Sequence, residues 1–82
     1  KNLSSSLRFK VWNKYIGISI GETICLCCKQ NKISQQNFEC GHIIPRSKGG
    51  DNIIYNLKPI CRNCNSSMNN KNMNKFIEEN RF

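Results

Sequence analysis

The fold of this chain is decided by two Cys-x-x-Cys pairs, Cys25-Leu26-Cys27-Cys28 and Cys61-Arg62-Asn63-Cys64, with thirty-two residues between them. Two intervening residues let the backbone curl so that both thiolates reach one ion at about 2.3 Å, and two such pairs complete a tetrahedron. The spacing therefore predicts one structural zinc per chain, bound by Cys25, Cys28, Cys61 and Cys64. Because the segment between the pairs is longer than in a simple finger, we expect the metal to clamp the ends of a larger unit.

Two further cysteines lie outside this set. We expect Cys27 to point away from the metal, although Cys27 in place of Cys28 is an alternative. Cys40 is interpreted as a small buried thiol in a strand. Three disulfides in a secreted protein are the competing interpretation of six cysteines. Residues 1–10 contain no apolar run typical of a signal peptide. This favours metal over disulfides, in a reducing intracellular compartment (cytoplasm, nucleus or viral factory).

Length and charge narrow the class of protein. The chain has 82 residues, enough for one small domain. A domain of this size usually needs a bound metal or disulfides to stabilise it in addition to its apolar core. Thirteen basic residues against five acidic ones give a net charge of +8, which indicates a polyanionic partner rather than solubility alone. No apolar stretch is long enough to span a bilayer, so we expect no membrane partner.

The order of predicted elements gives a small α+β domain over residues 1–82. Three serines, residues 4–6, are suited to capping a helix from about Leu7 to Ile16, with Arg8 unexpectedly inside its apolar arc. We expect the Arg8 stem to lie on the core with its head in water, or its guanidinium to hold a carboxylate or phosphate.

The remaining predictions are a polar connection over 29–37, strands over 38–44 and 57–60, and helices from Arg62 to about Asn70 and around Met73, Phe76 and Ile77. The expected parts are an N-terminal helix and lead-in (1–24), a zinc-clamped core (25–70) and a C-terminal helix (71–82).

Several short motifs follow one another in a specific order between and around the cysteine pairs. They are Arg8-x-x-Val11-Trp12, Gly41-His42-Ile43-Ile44-Pro45, Gly49-Gly50, Asn56-Leu57-x-Pro59-Ile60 and Cys64-Asn65. Over roughly residues 8–73 the chain resembles the HNH endonuclease family, in the zinc-containing branch that includes phage resolvases and several restriction enzymes. The resemblance implies a ββα-metal core with flanking helices, which grips one catalytic metal beside the scissile phosphate.

The same resemblance implies roles for particular residues in a metal-dependent DNA endonuclease. His42, the only histidine, matches the general base that acts on water, and Asn56 matches the residue that pins the loop and so orients the histidine. Asn65 matches a ligand of the catalytic metal, magnesium or another divalent cation, to which an amide oxygen is suited. A cation such as Arg46 or Lys48 would contact the phosphate.

Gly41 departs from the family pattern, because members usually carry an acidic metal ligand immediately before the histidine. Glu39 is the candidate replacement, since it lies two residues earlier and faces the same side of a regular strand. Alternatively, the metal is held only by Asn65, phosphate oxygens and water. A catalytically inactive, zinc-stabilised nucleic-acid-binding module is the competing function.

The expected nucleic-acid surface lies in the second half of the chain and includes Arg46, Lys48, Arg62 and Lys71. Each neutralised phosphate contributes roughly −0.9 to the slope of log affinity against log salt on duplex DNA. The sequence contains no repeated aromatic platform for single-stranded bases, which favours duplex or branched DNA. Cutting both strands would require a homodimer. The chain begins at Lys1 rather than Met, so attachment to a larger polypeptide is also expected.

Overall fold

The computed structural model describes residues 3–82, which form three helices and two small antiparallel sheets. Lys1 and Asn2, which begin the predicted lead-in, lie outside the described residues. No helix in the described part of the chain is long and apolar enough to cross a membrane. The predicted small α+β class is confirmed. The elements in chain order are α1 (Ser5–Tyr15), β1 (Glu22–Ile24), β2 (Lys32–Ser34), β3 (Glu39–His42), β4 (Leu57–Ile60), α2 (Arg62–Met68) and α3 (Met73–Asn80).

Helix α1 begins where the serines predicted it. The side chain of Ser4 accepts a hydrogen bond from the backbone N–H of Leu7 at 3.1 Å, which satisfies one of the free donors of the first turn. Val11 and Trp12 are buried on its inner face. The Trp12 indole N–H is shared between the carbonyls of Gly17 and Ile20, and this contact holds the segment after the helix against α1.

The surroundings of Arg8 differ in part from those we expected. Its guanidinium lies 4.4 Å from the centroid of the Phe38 ring and donates to the Phe38 carbonyl at 2.9 Å. The described contacts of the guanidinium are thus with a ring and a backbone carbonyl rather than with a carboxylate, and Arg8 is half-buried. The partner is thirty residues away in sequence, so helical periodicity alone could not identify it.

The prediction of a polar connection over residues 29–37 was wrong, because β2 lies inside it. Strand β2 pairs antiparallel with β1, with Thr23 opposite Ile33. The first Cys-x-x-Cys pair forms the tip of this hairpin, where the Cys25 N–H donates to the Asn31 carbonyl. Each strand has only three residues, and only Ile33 among them is buried. The alternation of apolar and polar residues is therefore too short to predict a strand from the sequence.

Strands β3 and β4 form the second sheet, which carries the candidate catalytic residues. Glu39 pairs with Ile60 at one end, and His42 pairs with Leu57 at the other. Strand β4 has the predicted bounds, whereas β3 is shorter than predicted at both ends. Helix α2 begins directly after β4, with Cys61 as its N-cap residue, and this completes a β-β-α unit.

The core lies between α1, the β3–β4 sheet and α3. Trp12, Leu57, Ile60 and Met73 are its largest fully buried side chains. The predicted face of the C-terminal helix is confirmed, since Met73 and Phe76 are buried in α3. The Met73 N–H also donates to the Ile43 carbonyl at 2.9 Å, so α3 is attached to the residue that follows His42.

Candidate functional site

Four cysteines form the first part of the site. The Sγ atoms of Cys25, Cys28, Cys61 and Cys64 all lie within 4.8 Å of one another, and all four residues are buried. They come from the tip of the β1–β2 hairpin and from the start of α2. Cys27 is also buried but does not belong to the cluster, and none of the six cysteines, all within residues 3–82, forms a disulfide. The four cysteines are therefore positioned to bind one metal ion.

Backbone amides surround the cluster and favour its ionised form. The Cys25 sulfur accepts from the N–H groups of Cys27, Cys28 and Cys61 at 3.2–3.4 Å. Burial nevertheless raises the pKa of the Cys25 and Cys64 thiols. Metal binding must therefore displace protons from these groups, which makes affinity depend on pH.

Asn31 is a second feature of the cluster, and no sequence pattern predicted it. Its side-chain N–H donates to the Cys61 sulfur at 3.3 Å. Burial acts against ionisation of Cys61, but the hydrogen bonds from Asn31 and the Cys64 backbone bring its pKa down to about 7. Asn31 therefore stabilises a thiolate at a position facing the metal.

His42 stands at the end of β3, half-buried, at the edge of a second site. Its Nε2 atom lies 2.7 Å from the side-chain oxygen of Asn52, a residue of the loop between β3 and β4. Asn52 was not among the predicted site residues. Asn52 could not be predicted because no sequence pattern distinguishes an asparagine in this loop from its neighbour Asp51.

Asn56 is buried and fastens this loop at both ends. Its side-chain oxygen accepts from the Ile44 N–H at 2.8 Å, and its amide donates to the carbonyls of Ile44 and Asp51 at 3.0 Å each. Gly50 makes the approach possible, because a Cβ atom there would lie 1.7 Å from the Ile44 carbonyl oxygen. The side chain at position 50 must therefore be hydrogen for the loop to close.

A cavity of about 330 Å³ opens beside His42. It brings together four of the sequence-predicted site residues, namely His42, Arg46, Asn65 and Lys71. The other lining residues are Pro45, Ser47, Met68, Asn69 and Asn70. The described lining thus offers an imidazole, amide and hydroxyl groups and two cations, but no carboxylate.

Glu39 lies away from this cavity. Its carboxylate is 3.6 Å from the Nε atom of Arg62, at the opposite end of β3 from His42. Three residues of a strand span roughly 10 Å. The structure therefore does not bring Glu39, the candidate replacement ligand, close to His42. Arg62 also lies away from the histidine.

Two more of the predicted basic residues differ in their surroundings. Lys48 is exposed in a short 3-10 turn (Arg46–Lys48) beside the cavity but does not line it. Lys71 lines the cavity and also donates to Glu79 at 2.6 Å. This hydrogen bond and the Lys71 charge lower the pKa of the Glu79 carboxyl.

The structure also gives a physical reason for glycine at position 41. Gly41 is buried, and a Cβ atom there would lie 2.3 Å from Ile60 Cδ1 and 3.1 Å from Met73 Cε. The core side chains of β4 and α3 occupy the space that a side chain at position 41 would need. An acid here is excluded unless that packing changes.

Comparison with known proteins gives one finding. A family model described as HNH endonuclease matches residues 25–80, which is more than half of the chain and includes both cysteine pairs, His42 and Asn65. No curated protein and no solved structure gives a significant match.

Proposed function

Because the chain belongs to the HNH endonuclease family, we propose that it hydrolyses phosphodiester bonds in DNA with His42 as general base. The observation that carries this proposal is the cavity that His42 shares with Asn65, Arg46 and Lys71. An imidazole has an unperturbed pKa near 6.5 and is suited to accept a proton from water at neutral pH. The two cations are placed to neutralise a phosphate that enters the cavity.

Zinc is the metal we propose for the cysteine cluster. Four thiolates are the donor set of structural zinc sites, and the amide donors around the sulfurs fit such a site. The cluster joins the β1–β2 hairpin to the start of α2, so the metal contributes directly to folding. A site of four reduced thiols is also typical of proteins from reducing compartments.

For the catalytic divalent cation, magnesium or another, Asn65 is the residue that would hold it. Its amide oxygen is a hard donor, but the described lining contains no carboxylate, so phosphate oxygens and water would supply the remaining ligands. Such a cation stabilises negative charge on the leaving oxygen. We expect it to bind with DNA rather than before it.

Duplex or branched DNA is the proposed substrate, bound through Arg46, Lys48, Arg62 and Lys71. Arg62 and Lys71 already face Glu39 and Glu79, but these are exposed ion pairs. Such pairs stabilise a fold little, so a phosphate can replace the carboxylate at low cost. A homodimer, or a larger polypeptide that carries this domain, would bring the second strand within reach.

The decisive experiment incubates the protein with supercoiled plasmid and magnesium beside a His42→Ala variant. Cleavage by the parent with at least a roughly 100-fold loss in the variant supports a general base. A Lys10→Ala variant, which removes an exposed charge on helix α1 outside the proposed DNA surface, serves as the matched control and should retain most of the activity. Equal cleavage by the parent and His42→Ala would refute the proposed role.

A non-cleaving, zinc-stabilised nucleic-acid-binding module is the second candidate. Gly41 and the lack of a carboxylate in the described lining favour it. It predicts salt-dependent DNA binding by a parent protein that leaves plasmid intact with magnesium or manganese. Gel-shift titration at several salt concentrations, run beside the cleavage assay, separates the two functions.

A further inference from the structure

We propose that Asn52 is the positioning residue of His42, and that it makes Nδ1 the nitrogen that accepts the proton. The inference deepens the proposed function and rests on it for the role of Nδ1 in hydrolysis. The contact itself is a property of the fold. Nε2 of His42 and the side-chain oxygen of Asn52 are 2.7 Å apart, the distance of a short hydrogen bond.

The chemistry of the two groups fixes the direction of this hydrogen bond. An amide oxygen has lone pairs and no proton, so the imidazole must donate from Nε2–H. A neutral imidazole carries one N–H, and its other nitrogen is then the acceptor. The contact therefore selects the tautomer with a proton on Nε2 and a free lone pair on Nδ1.

The backbone on both sides of the contact is held in place. His42 is paired with Leu57 in the sheet, and Asn56 donates to the carbonyl of Asp51, the residue immediately before Asn52. All three hydrogen bonds of the Asn56 side chain join it to the backbone of Ile44 and Asp51. Asn56 therefore orients the histidine indirectly, by fixing the segment that presents Asn52.

An uncharged partner suits the electrostatics of the cavity. Arg46 and Lys71 are the charged groups that line it with His42, and both are cations available to a phosphate. A carboxylate at position 52 would hold a proton on the ring. An amide orients the ring without this effect.

NMR spectroscopy tests the contact without any need for activity, because His42 is the only histidine and its ring signals are unambiguous. In the zinc-loaded parent we expect the neutral ring to carry its proton on Nε2. In Asn52→Asp the titration midpoint of His42 should rise by about one pH unit or more, since an adjacent carboxylate favours the charged ring. In Asn52→Leu the neutral ring should become a mixture of tautomers.

Asn70→Asp is the matched control, because it places the same charge in the lining of the cavity beside His42 without the hydrogen bond to Nε2. Its effect on the midpoint should be clearly smaller than that of Asn52→Asp. Amide spectra and zinc content of each variant establish that the fold is retained. Identical midpoints and tautomers in the parent and both Asn52 variants would overturn the proposal.

Cleavage as a function of pH then tests the role of Nδ1. The rising limb of the rate profile should move to higher pH in Asn52→Asp by the same increment as the NMR midpoint. Asn52→Leu should lose roughly ten-fold or more at every pH, which is less than the loss in His42→Ala. If the rate profile is unmoved while the NMR midpoint shifts, His42 does not act as the base in hydrolysis, and the role given to Nδ1 fails. A parent with the expected tautomer but no cleavage would instead remove the proposed function and leave the contact standing.

Discussion

Replacing Gly41 with alanine should destabilise the protein although alanine is small and the backbone permits it. The new Cβ atom would lie 2.3 Å from Ile60 Cδ1 and 3.0 Å from Ile60 Cγ1, where carbon atoms normally stay about 3.5–4.0 Å apart. Overpacking of a buried site costs about 1–3 kcal/mol. Loss of glycine freedom in the unfolded chain returns about 0.4–1 kcal/mol. The free energy of unfolding should therefore fall by about 1–2 kcal/mol.

Gly21→Ala is the matched control, since nothing lies within 4 Å of a Cβ atom at that position. It should be neutral or slightly stabilising by about 0.4–1 kcal/mol. Urea unfolding of both variants, at a fixed concentration of free zinc, gives the comparison. A Gly41→Ala protein as stable as Gly21→Ala would refute the packing account of position 41.

Ile60→Val sharpens the test, because it removes Cδ1, the atom that the new methyl group meets first. Alone, this change should cost about 0.5–1.5 kcal/mol. In the Gly41→Ala background it should cost less or restore stability, with a coupling energy of roughly 0.5–2 kcal/mol. A coupling near zero would mean that the clash is relieved elsewhere.

Three further predictions concern the cluster, the loop and the C-terminal helix. Cys64→Ser should lose the one bound zinc per chain, as measured by elemental analysis, whereas Cys40→Ser, a buried thiol outside the cluster, should keep it. Asn56→Ala should lower the free energy of unfolding by about 2–4 kcal/mol in urea, because it removes three hydrogen bonds from a buried side chain to the backbone. The hydrogen bond from Lys71 lowers the pKa of the Glu79 carboxyl in the folded protein. The pair therefore stabilises the fold fully above the unfolded-state pKa of about 4.3, and this stabilisation is lost as the pH falls through the lower folded-state pKa. Glu79→Gln should therefore be less stable than the parent at pH 7, with a difference that disappears in acid unfolding titrations.

The sequence predicted those parts of the fold that depend on local chemistry or on fixed spacing. The spacing of two Cys-x-x-Cys pairs predicts one cluster of four thiols suited to a metal, and the structure brings those four thiols together. Likewise, Ser4 caps α1 through a contact that spans only three residues. Strand β4 stands between turn signals and the second cysteine pair, and its bounds were predicted correctly.

The features that were missed depend on contacts between distant segments. The Arg8–Phe38 stack joins α1 to the residue before β3, and no periodicity encodes such a pair. Strand β2 gains its partner only when the hairpin closes around the first cysteine pair. Asn52 reaches His42 only because Asn56 and Gly50 shape the loop between them, so its importance follows from the folded loop rather than from its position in the chain.

The hydrogen bond from Met73 to Ile43 sets a lower limit on how far this protein can be shortened. A version trimmed after residue 72 would retain both cysteine pairs and every side chain proposed to act on DNA. It would nevertheless lose the donor for the Ile43 carbonyl and the thioether that lies beside Gly41. Such a fragment should still take up zinc but hold its histidine loosely. Screening truncations by metal content alone would therefore select proteins that bind the ion but have a disturbed backbone around His42.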